Sequence, residues 1–144
     1  MGKKRIITEG GHDLSAAEAK NVAPGGGKRK LVSGIVNIQA TYNNTTVTLT
    51  DLSGNAVMWS TSGSLGFKGA KKGTPFAASK VVELLSDKAQ ALGLKEVDVV
   101  VKGVGAGRES ALRALAARGF VINSIKDTTP VPFNGPKPKK PRRV

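Results

Sequence analysis

The sequence predicts a single mixed α/β domain in which helices cover a β-sheet on both sides, giving three layers. Residues 35–61 are rich in Thr and Val, alternate in part between apolar and polar side chains, and contain two turn signals, which indicates antiparallel strands. A helical pattern follows from Thr74 to Gly93. Residues 97–101 are nearly apolar on both faces, a pattern typical of an interior strand that is covered on both sides.

The first three strands are predicted at residues 35–42, 45–51 and 56–61. The pair Asn43-Asn44 is a turn signal between the first two of them, so these two strands should form a hairpin. Residues 52–55 supply the next turn. Three antiparallel strands therefore come first in the chain.

Two helices and two more strands follow. Thr74 is a helix N-cap, Pro75 fits the first helical position and Gly93 is a stop signal, which predicts a helix of about 18 residues. After the strand at 97–101, a glycine-rich loop leads into a short helix at 108–118, and residues 120–126 form the last strand. The order β-β-β-α-β-α-β requires helical crossovers against a mixed sheet.

The charge of the chain indicates its class of partner. It contains 23 Lys and Arg residues against 10 Asp and Glu residues, a net charge of +13, so nucleic acid is the expected partner. With no Cys and a single His, no metal and no cofactor are expected. No apolar stretch approaches the roughly 18 residues of a membrane-spanning helix, so we expect a soluble protein with no membrane partner.

Composition divides the chain into three parts. Residues 1–30 are predicted to be a flexible basic extension, residues 31–129 a single α/β domain that binds RNA, and residues 130–144 an extended tail, because proline opposes both helix and sheet. Both ends carry clustered cations that suit RNA phosphates. They are Lys28, Arg29 and Lys30 in the extension, and Lys137, Lys139, Lys140, Arg142 and Arg143 in the tail.

The glycine-rich loop before the second helix is a candidate phosphate site. It contains Gly103, Gly105 and Gly107, and Arg108 stands at the helix start. A helix N-terminus has unpaired N–H groups that favour phosphate, so we expect RNA contact here. The alternative is a dinucleotide-binding loop with Asp127 as the ribose-binding acid, although Arg108 occupies the place of the third glycine.

A second candidate is the long loop at residues 62–73. Its glycines allow a close approach of the backbone to a ligand, its lysines neutralise phosphates, and its aromatic residue could cover a sugar or an unstacked base. The alternative is a flexible lid whose aromatic side chain is tucked into the core. The candidate RNA-binding residues are Gly66, Phe67, Lys68, Gly69, Lys71 and Lys72.

Enzyme functions are disfavoured by the placement of the acids. A ribonuclease-H-like sheet would need clustered carboxylates that hold divalent metals. Instead, Asp51 ends the second strand, Asp98 lies on the fourth, and Glu109 lies in the first turn of the second helix. The sequence therefore predicts a binding protein and no enzyme.

Several ordered motifs in this sequence resemble those of one known family, the bacterial-type small-subunit ribosomal protein S11 family, over roughly residues 30–144. The motifs are Tyr42-Asn43-Asn44-Thr45, Gly66-Phe67-Lys68-Gly69, Thr74-Pro75-Phe76-Ala77-Ala78, Lys102-Gly103 with Gly105, Gly107-Arg108-Glu109-Ser110, Asp127-Thr128-Thr129-Pro130, Asn134-Gly135 and Arg142-Arg143-Val144.

The resemblance implies a ribonuclease-H-like fold without catalysis, in the cytoplasmic small (30S-type) subunit. It implies binding to rRNA at the platform near the mRNA exit and the E site, with mRNA near the exit channel as a further partner. Proteins S6 and S18 are expected beside the chain and S7 opposite it, and no homo-oligomer is expected. It also adds Asn43, Asn44, Lys102, Asn134 and Gly135 to the expected RNA-binding residues.

We therefore expect a structural rRNA-binding protein. The alternatives are a free-standing basic nucleic-acid chaperone and, as a third class, a nucleotide-dependent enzyme. The pair Asn134-Gly135 further predicts a possible isoaspartate at Asn134, because glycine offers little steric obstruction to attack by its backbone nitrogen on the preceding amide. An ordinary turn is the alternative for this pair.

Overall fold

The computed structural model describes residues 30–143, which form five strands, one short 3₁₀ helix and two α-helices in the predicted order. The strands are β1 (Ser33–Ala40), β2 (Thr45–Thr50), β3 (Ala56–Thr61), β4 (Glu96–Lys102) and β5 (Val121–Asp127). The 3₁₀ helix is Gly69–Gly73, and the α-helices are α1 (Pro75–Ala91) and α2 (Gly107–Ala117). The mixed α/β class and the order β-β-β-α-β-α-β are confirmed.

The strands form one mixed sheet in the order β3-β2-β1-β4-β5. β2 pairs antiparallel with β1 and with β3, whereas β4 pairs in parallel with β1, and β5 in parallel with β4. β3 runs in the same direction as β1, because both are antiparallel to β2. The carboxyl ends of β1, β3, β4 and β5 therefore meet at one end of the sheet.

The period-two alternation of the strands divides the sheet into a buried face and an open face. In β1, Val36 and Ile38 are buried, while Ile35 and Asn37, which alternate with them, are only half-buried. The same alternation continues in β2, β3 and β4. The buried face and the two helices form one core, whose main members are Val36, Ile38, Val47, Leu49, Met58, Val81, Val82, Leu85, Val97, Val99, Val101, Ala111 and Leu115.

In one respect the structure corrects the prediction, because residues 30–143 form two layers and not three. Helices α1 and α2 pack against each other and against the same face of the sheet. The crossovers from β3 to β4 and from β4 to β5 advance in the same direction across the sheet, and right-handed crossovers of that kind place both helices on one face. In β4, Val99 is fully buried, but Asp98 and Val100 on the open face are only partly covered.

The start and stop signals predicted for α1 lie at its two ends. The Thr74 side chain caps α1 by accepting a hydrogen bond from the Ala77 backbone nitrogen at 3.3 Å, and Pro75 is the first helical residue. Gly93 has a φ of 90°, a left-handed conformation that ends the helix. No helix within residues 30–143 is long and apolar enough to cross a membrane.

The single covered face predicts unequal effects for two neighbouring valines of β4. Val99→Ala should lower the free energy of unfolding by about 2 kcal/mol, because it removes two buried methyl groups and leaves a cavity. Val100→Ala lowers the β-propensity by the same amount but removes little buried surface. The free energy of unfolding should therefore fall by less than about 1 kcal/mol. Urea denaturation of both variants measures the difference, and equal losses would contradict a sheet covered on one side.

Candidate nucleic-acid interface

The loops at the carboxyl ends of the parallel strands bring most of the predicted RNA-binding residues together. We call this surface the loop end and define it as residues 41–44, 62–74, 102–108 and 127–130. It comprises the β1–β2 turn, the long loop after β3, the glycine-rich loop after β4 and the start of the tail. Residues up to 89 positions apart in the sequence thus form one surface.

Ser62 joins the β1–β2 turn to the 3₁₀ helix. Its fully buried hydroxyl oxygen lies 2.7 Å from both Asn44 Oδ1 and the Lys72 carbonyl oxygen. The same oxygen accepts a hydrogen bond from the Thr45 backbone nitrogen at 3.0 Å. Asn44, predicted to bind RNA, therefore uses its side chain to hold the loops together, while Asn43 beside it is exposed.

Glycines permit the main chain at the end of β1 to pack between two loops. A Cβ atom on Gly73 would lie 2.1 Å from the Tyr42 carbonyl oxygen, and one on Gly105 would lie 2.2 Å from the Thr41 carbonyl oxygen. The Gly105 backbone nitrogen donates a hydrogen bond to the Ala40 carbonyl oxygen at 2.9 Å. The close approach predicted from these glycines is thus made within the protein, between loop and strand.

The Arg108 side chain is 33% exposed and is hydrogen-bonded within the domain. Its Nη1 donates to the Gly103 carbonyl oxygen at 2.8 Å and to Thr129 Oγ1 at 3.1 Å, and its Nη2 pairs with the Asp127 carboxylate. Three hydrogen bonds thus turn the guanidinium towards the protein, and the predicted contact of Arg108 with an RNA phosphate stays a prediction. Asp127 is likewise engaged, which disfavours the alternative role of a ribose-binding acid.

Thr129 completes this network, which we call the tail latch (Gly103, Arg108, Asp127 and Thr129). The Thr129 hydroxyl donates to Asp127 Oδ1 at 2.6 Å and accepts from the Gly103 backbone nitrogen at 3.2 Å. The Thr129 backbone nitrogen donates to the same Oδ1 at 2.9 Å. Hydrogen bonds from Arg108 and Thr129 hold the pKa of Asp127 far below its usual range. The latch therefore fixes the point at which the tail leaves the domain.

Lysines give the loop end a positive charge that no acid among residues 30–143 neutralises by an ion pair. Residues 52–82 contain no Asp or Glu. Lys68, Lys71 and Lys102 are exposed, Lys72 is half-buried, and none of the four has an ion-pair partner among residues 30–143. Gly66 and Gly69 have φ values of 90° and 60°, so the loop that carries these lysines needs glycine at both positions.

An aromatic pair lies beside these lysines. Phe67 is half-buried and meets Phe76 edge-on, with ring centroids 6.1 Å apart and an interplanar angle of 80°. Phe67 thus contacts a neighbouring ring and is not a member of the main core. Phe76 itself is 63% exposed and was not predicted as a site residue. A helical wheel could have shown it, because Phe76 lies about 200° from the buried Ala78.

The remaining predicted cations lie outside the loop end, before β1 or in the tail. Lys30 precedes β1 at the opposite end of the sheet, where the Leu31 backbone nitrogen donates to the Leu92 carbonyl oxygen; Lys28 and Arg29 lie outside the described residues. The tail cations Lys137, Lys139, Lys140, Arg142 and Arg143 are all exposed.

Asn134 has a left-handed φ of 52°, a conformation that asparagine tolerates in turns. Gly135 follows it in the same exposed bend. This backbone agrees with the ordinary turn that the sequence left open, and isoaspartate formation at Asn134 stays a prediction.

The tight packing at the end of β1 predicts a strong effect of a single methyl group. Gly105→Ala should lower the free energy of unfolding by about 1–3 kcal/mol or more, because the added Cβ overlaps the Thr41 carbonyl oxygen. Gly63→Ala is the matched control, since its Cβ would meet only ordinary contacts at 3.7 Å, and it should change stability by less than about 0.5 kcal/mol. Equal stabilities of the two variants in urea would contradict the packing described.

The tail latch predicts a pH-dependent contribution to stability. Because folding lowers the pKa of Asp127, its contribution is complete above the ordinary value of 3.8 and declines as the pH falls below it. Asp127→Asn should therefore melt at a lower temperature than the wild type at about pH 7, and the difference should narrow towards about pH 3. Thermal melts across this range measure it, and a constant difference would contradict the latch.

The chain matches one known protein family. The model of the family described as Ribosomal protein S11 matches residues 34–143. The match spans β1 to β5, the whole loop end and the cations of the tail. The chain therefore belongs to the ribosomal protein S11 family, as an RNA-binding protein of the small ribosomal subunit that acts in translation.

Proposed function

We propose that this chain is a structural, non-enzymatic protein that binds small-subunit rRNA through its loop end and its C-terminal tail. The observation that carries the proposal is a group of lysines on loops that Ser62 and the tail latch hold together. Within residues 30–143 these lysines have no ion-pair partner. Lysines on an ordered surface can match phosphates at fixed positions, and such contacts set the orientation of a protein on RNA.

The mechanism is charge neutralisation together with shape fitting. Each lysine that meets a phosphate releases condensed counterions, which supplies affinity without sequence selectivity. The exposed tail leaves the domain next to the same lysines, so it can follow an RNA strand away from the loop end. Rigid loops and an extended tail would together hold RNA helices in one relative geometry.

The described acids support a role without catalysis. Asp51 accepts hydrogen bonds from Asn55 in a turn, Asp98 accepts one from Ser124 at 2.6 Å, and Glu109 pairs with Arg113 on the surface of α2. Each carboxylate serves a separate local contact. No group of three or more His, Cys, Asp or Glu within residues 30–143 could hold a metal ion.

The family resemblance supports a finer placement within this proposal. We place the chain as a monomer in the platform of a cytoplasmic 30S-type subunit, near the mRNA exit and the E site, with proteins S6, S18 and S7 as neighbours. Sedimentation of tagged protein through a sucrose gradient tests the placement. Cosedimentation with small subunits supports it, whereas a slow peak free of subunits would favour the alternative of a free-standing nucleic-acid chaperone.

The tail should supply much of the salt-sensitive affinity for rRNA. The logarithm of the affinity is expected to fall with the logarithm of salt concentration by about 0.7–0.9 per phosphate contact. Deletion of residues 136–144 removes five cations, so the slope should flatten by several units, up to about 4. Filter binding to a transcript of the small-subunit rRNA central domain at several salt concentrations measures the slope.

A charge at the other end of the sheet provides the control for this measurement. Lys95 is exposed just before β4, and Lys95→Gln removes one cation from that end without touching the tail. The slope of this variant should equal that of the wild type. An unchanged slope in the tail deletion would exclude the tail as an rRNA contact.

A further inference from the structure

Phe76 presents an aromatic ring to solvent at a place where the fold does not require one. It is the second residue of α1, on the side of the helix that faces away from the core, and it is 63% exposed. Its backbone is fixed, because the Thr74 cap and Pro75 define the first turn of the helix. A large apolar ring is therefore displayed from a rigid position.

Neighbouring side chains restrict the orientation of this ring. Phe67 meets it edge-on, at a centroid distance of 6.1 Å. The Lys80 ammonium lies 5.7 Å from the Phe76 centroid, within the range of a cation–π interaction, and Glu83 holds that ammonium at 2.8 Å. A ring that is held in this way loses little conformational freedom when a flat ligand stacks on it.

The surroundings of the ring indicate which kind of ligand it takes. Lys68, Lys71 and Lys72 lie on the loop that ends directly before α1, and none of them has an ion-pair partner among residues 30–143. A ligand at Phe76 therefore combines a flat apolar surface with adjacent negative charge. A nucleotide has both, and only an unpaired base can leave its stack to meet a protein ring.

We propose that Phe76 is a stacking surface for an unpaired base of rRNA. Phe67 supports the ring, and the lysines of the 62–73 loop contact phosphates on either side of that base. The proposal rests on the proposed function and deepens it, because it assigns a single-stranded nucleotide to this part of the loop end. It also gives the two aromatic residues different roles: Phe76 contacts the base, and Phe67 is a positioning residue.

The test compares three substitutions at Phe76 in the full chain, with a central-domain rRNA transcript as the probe. Phe76→Leu keeps an apolar side chain but removes the flat ring, and it should weaken binding about 5- to 150-fold, the loss of one stacked base. Phe76→Tyr keeps the ring and should bind within about twofold of the wild type. Phe76→Trp in a Trp59→Phe background should show fluorescence quenching when the transcript binds.

The salt dependence distinguishes stacking from charge. Phe76→Leu should leave the salt slope unchanged, because no phosphate contact is lost, whereas the matched variant Lys71→Gln should reduce the slope by about 0.7–0.9. Circular dichroism checks that each variant retains the fold. We expect both to do so, because the side chains of Phe76 and Lys71 are exposed. A combination of weaker binding and an unchanged slope in Phe76→Leu supports the stacking surface.

Four outcomes would overturn the inference. If Phe76→Leu binds the transcript as the wild type does while Lys71→Gln reduces the slope, base stacking is wrong and the proposed function stands. If Phe76→Tyr loses as much affinity as Phe76→Leu, the ring is not what the RNA contacts. If Phe76→Leu fails only in incorporation into subunits, the ring meets a protein neighbour. Failure of the wild type itself to bind the transcript would overturn the proposed function as well.

Discussion

The main-chain carbonyl groups at the end of β1 organise the loop end. The Gly105 backbone nitrogen donates to the Ala40 carbonyl oxygen, and the backbones of Gly73 and Gly105 pass so close to Tyr42 and Thr41 that neither could carry a side chain in this arrangement. Because β1 is the central strand of the sheet, the loops from both halves of the sheet pack against the end of the same strand. For the RNA contact that we propose at the loop end, a surface built in this way would need few ordering steps, which would reduce the entropic cost of association.

Polar residues at the loop end divide into two groups with different tasks. Ser62, Asn44 and Arg108 direct their hydrogen bonds inward and join loop to loop. Lysines of the long loop and the exposed tail direct their charge outward, with no ion-pair partner among the described residues. This division is physically reasonable, because a guanidinium with several donors can cross-link backbone and carboxylate groups, whereas an ammonium on a flexible stem suits a phosphate. The ordered surface depends on the first group, and its affinity for a polyanion depends on the second.

The sequence motifs did not distinguish these two tasks. Arg108 follows a glycine-rich loop at a helix start, where a phosphate is a reasonable expectation. Its actual partner, Asp127, lies 19 residues later at the end of β5 and meets it only because β4 and β5 pair in parallel. Likewise, no motif indicated that Phe67 meets Phe76 edge-on or that Phe76 is the more exposed of the two rings, and the RNA contact of Phe67 stays a prediction. Motifs indicated segments that the loop end contains, and the packing between segments determined which of their side chains bond within the protein.

The sequence by itself determined the secondary-structure elements and the sign of the net charge. Strand alternation, the Thr74-Pro75 helix start and the Gly93 stop are local signals, because they depend on backbone geometry within a few residues. The excess of Lys and Arg is equally independent of the fold. Only the tertiary structure decided the number of layers and the members of the loop end. Both depend on the direction of the crossovers and on pairing between distant strands, which no local pattern encodes.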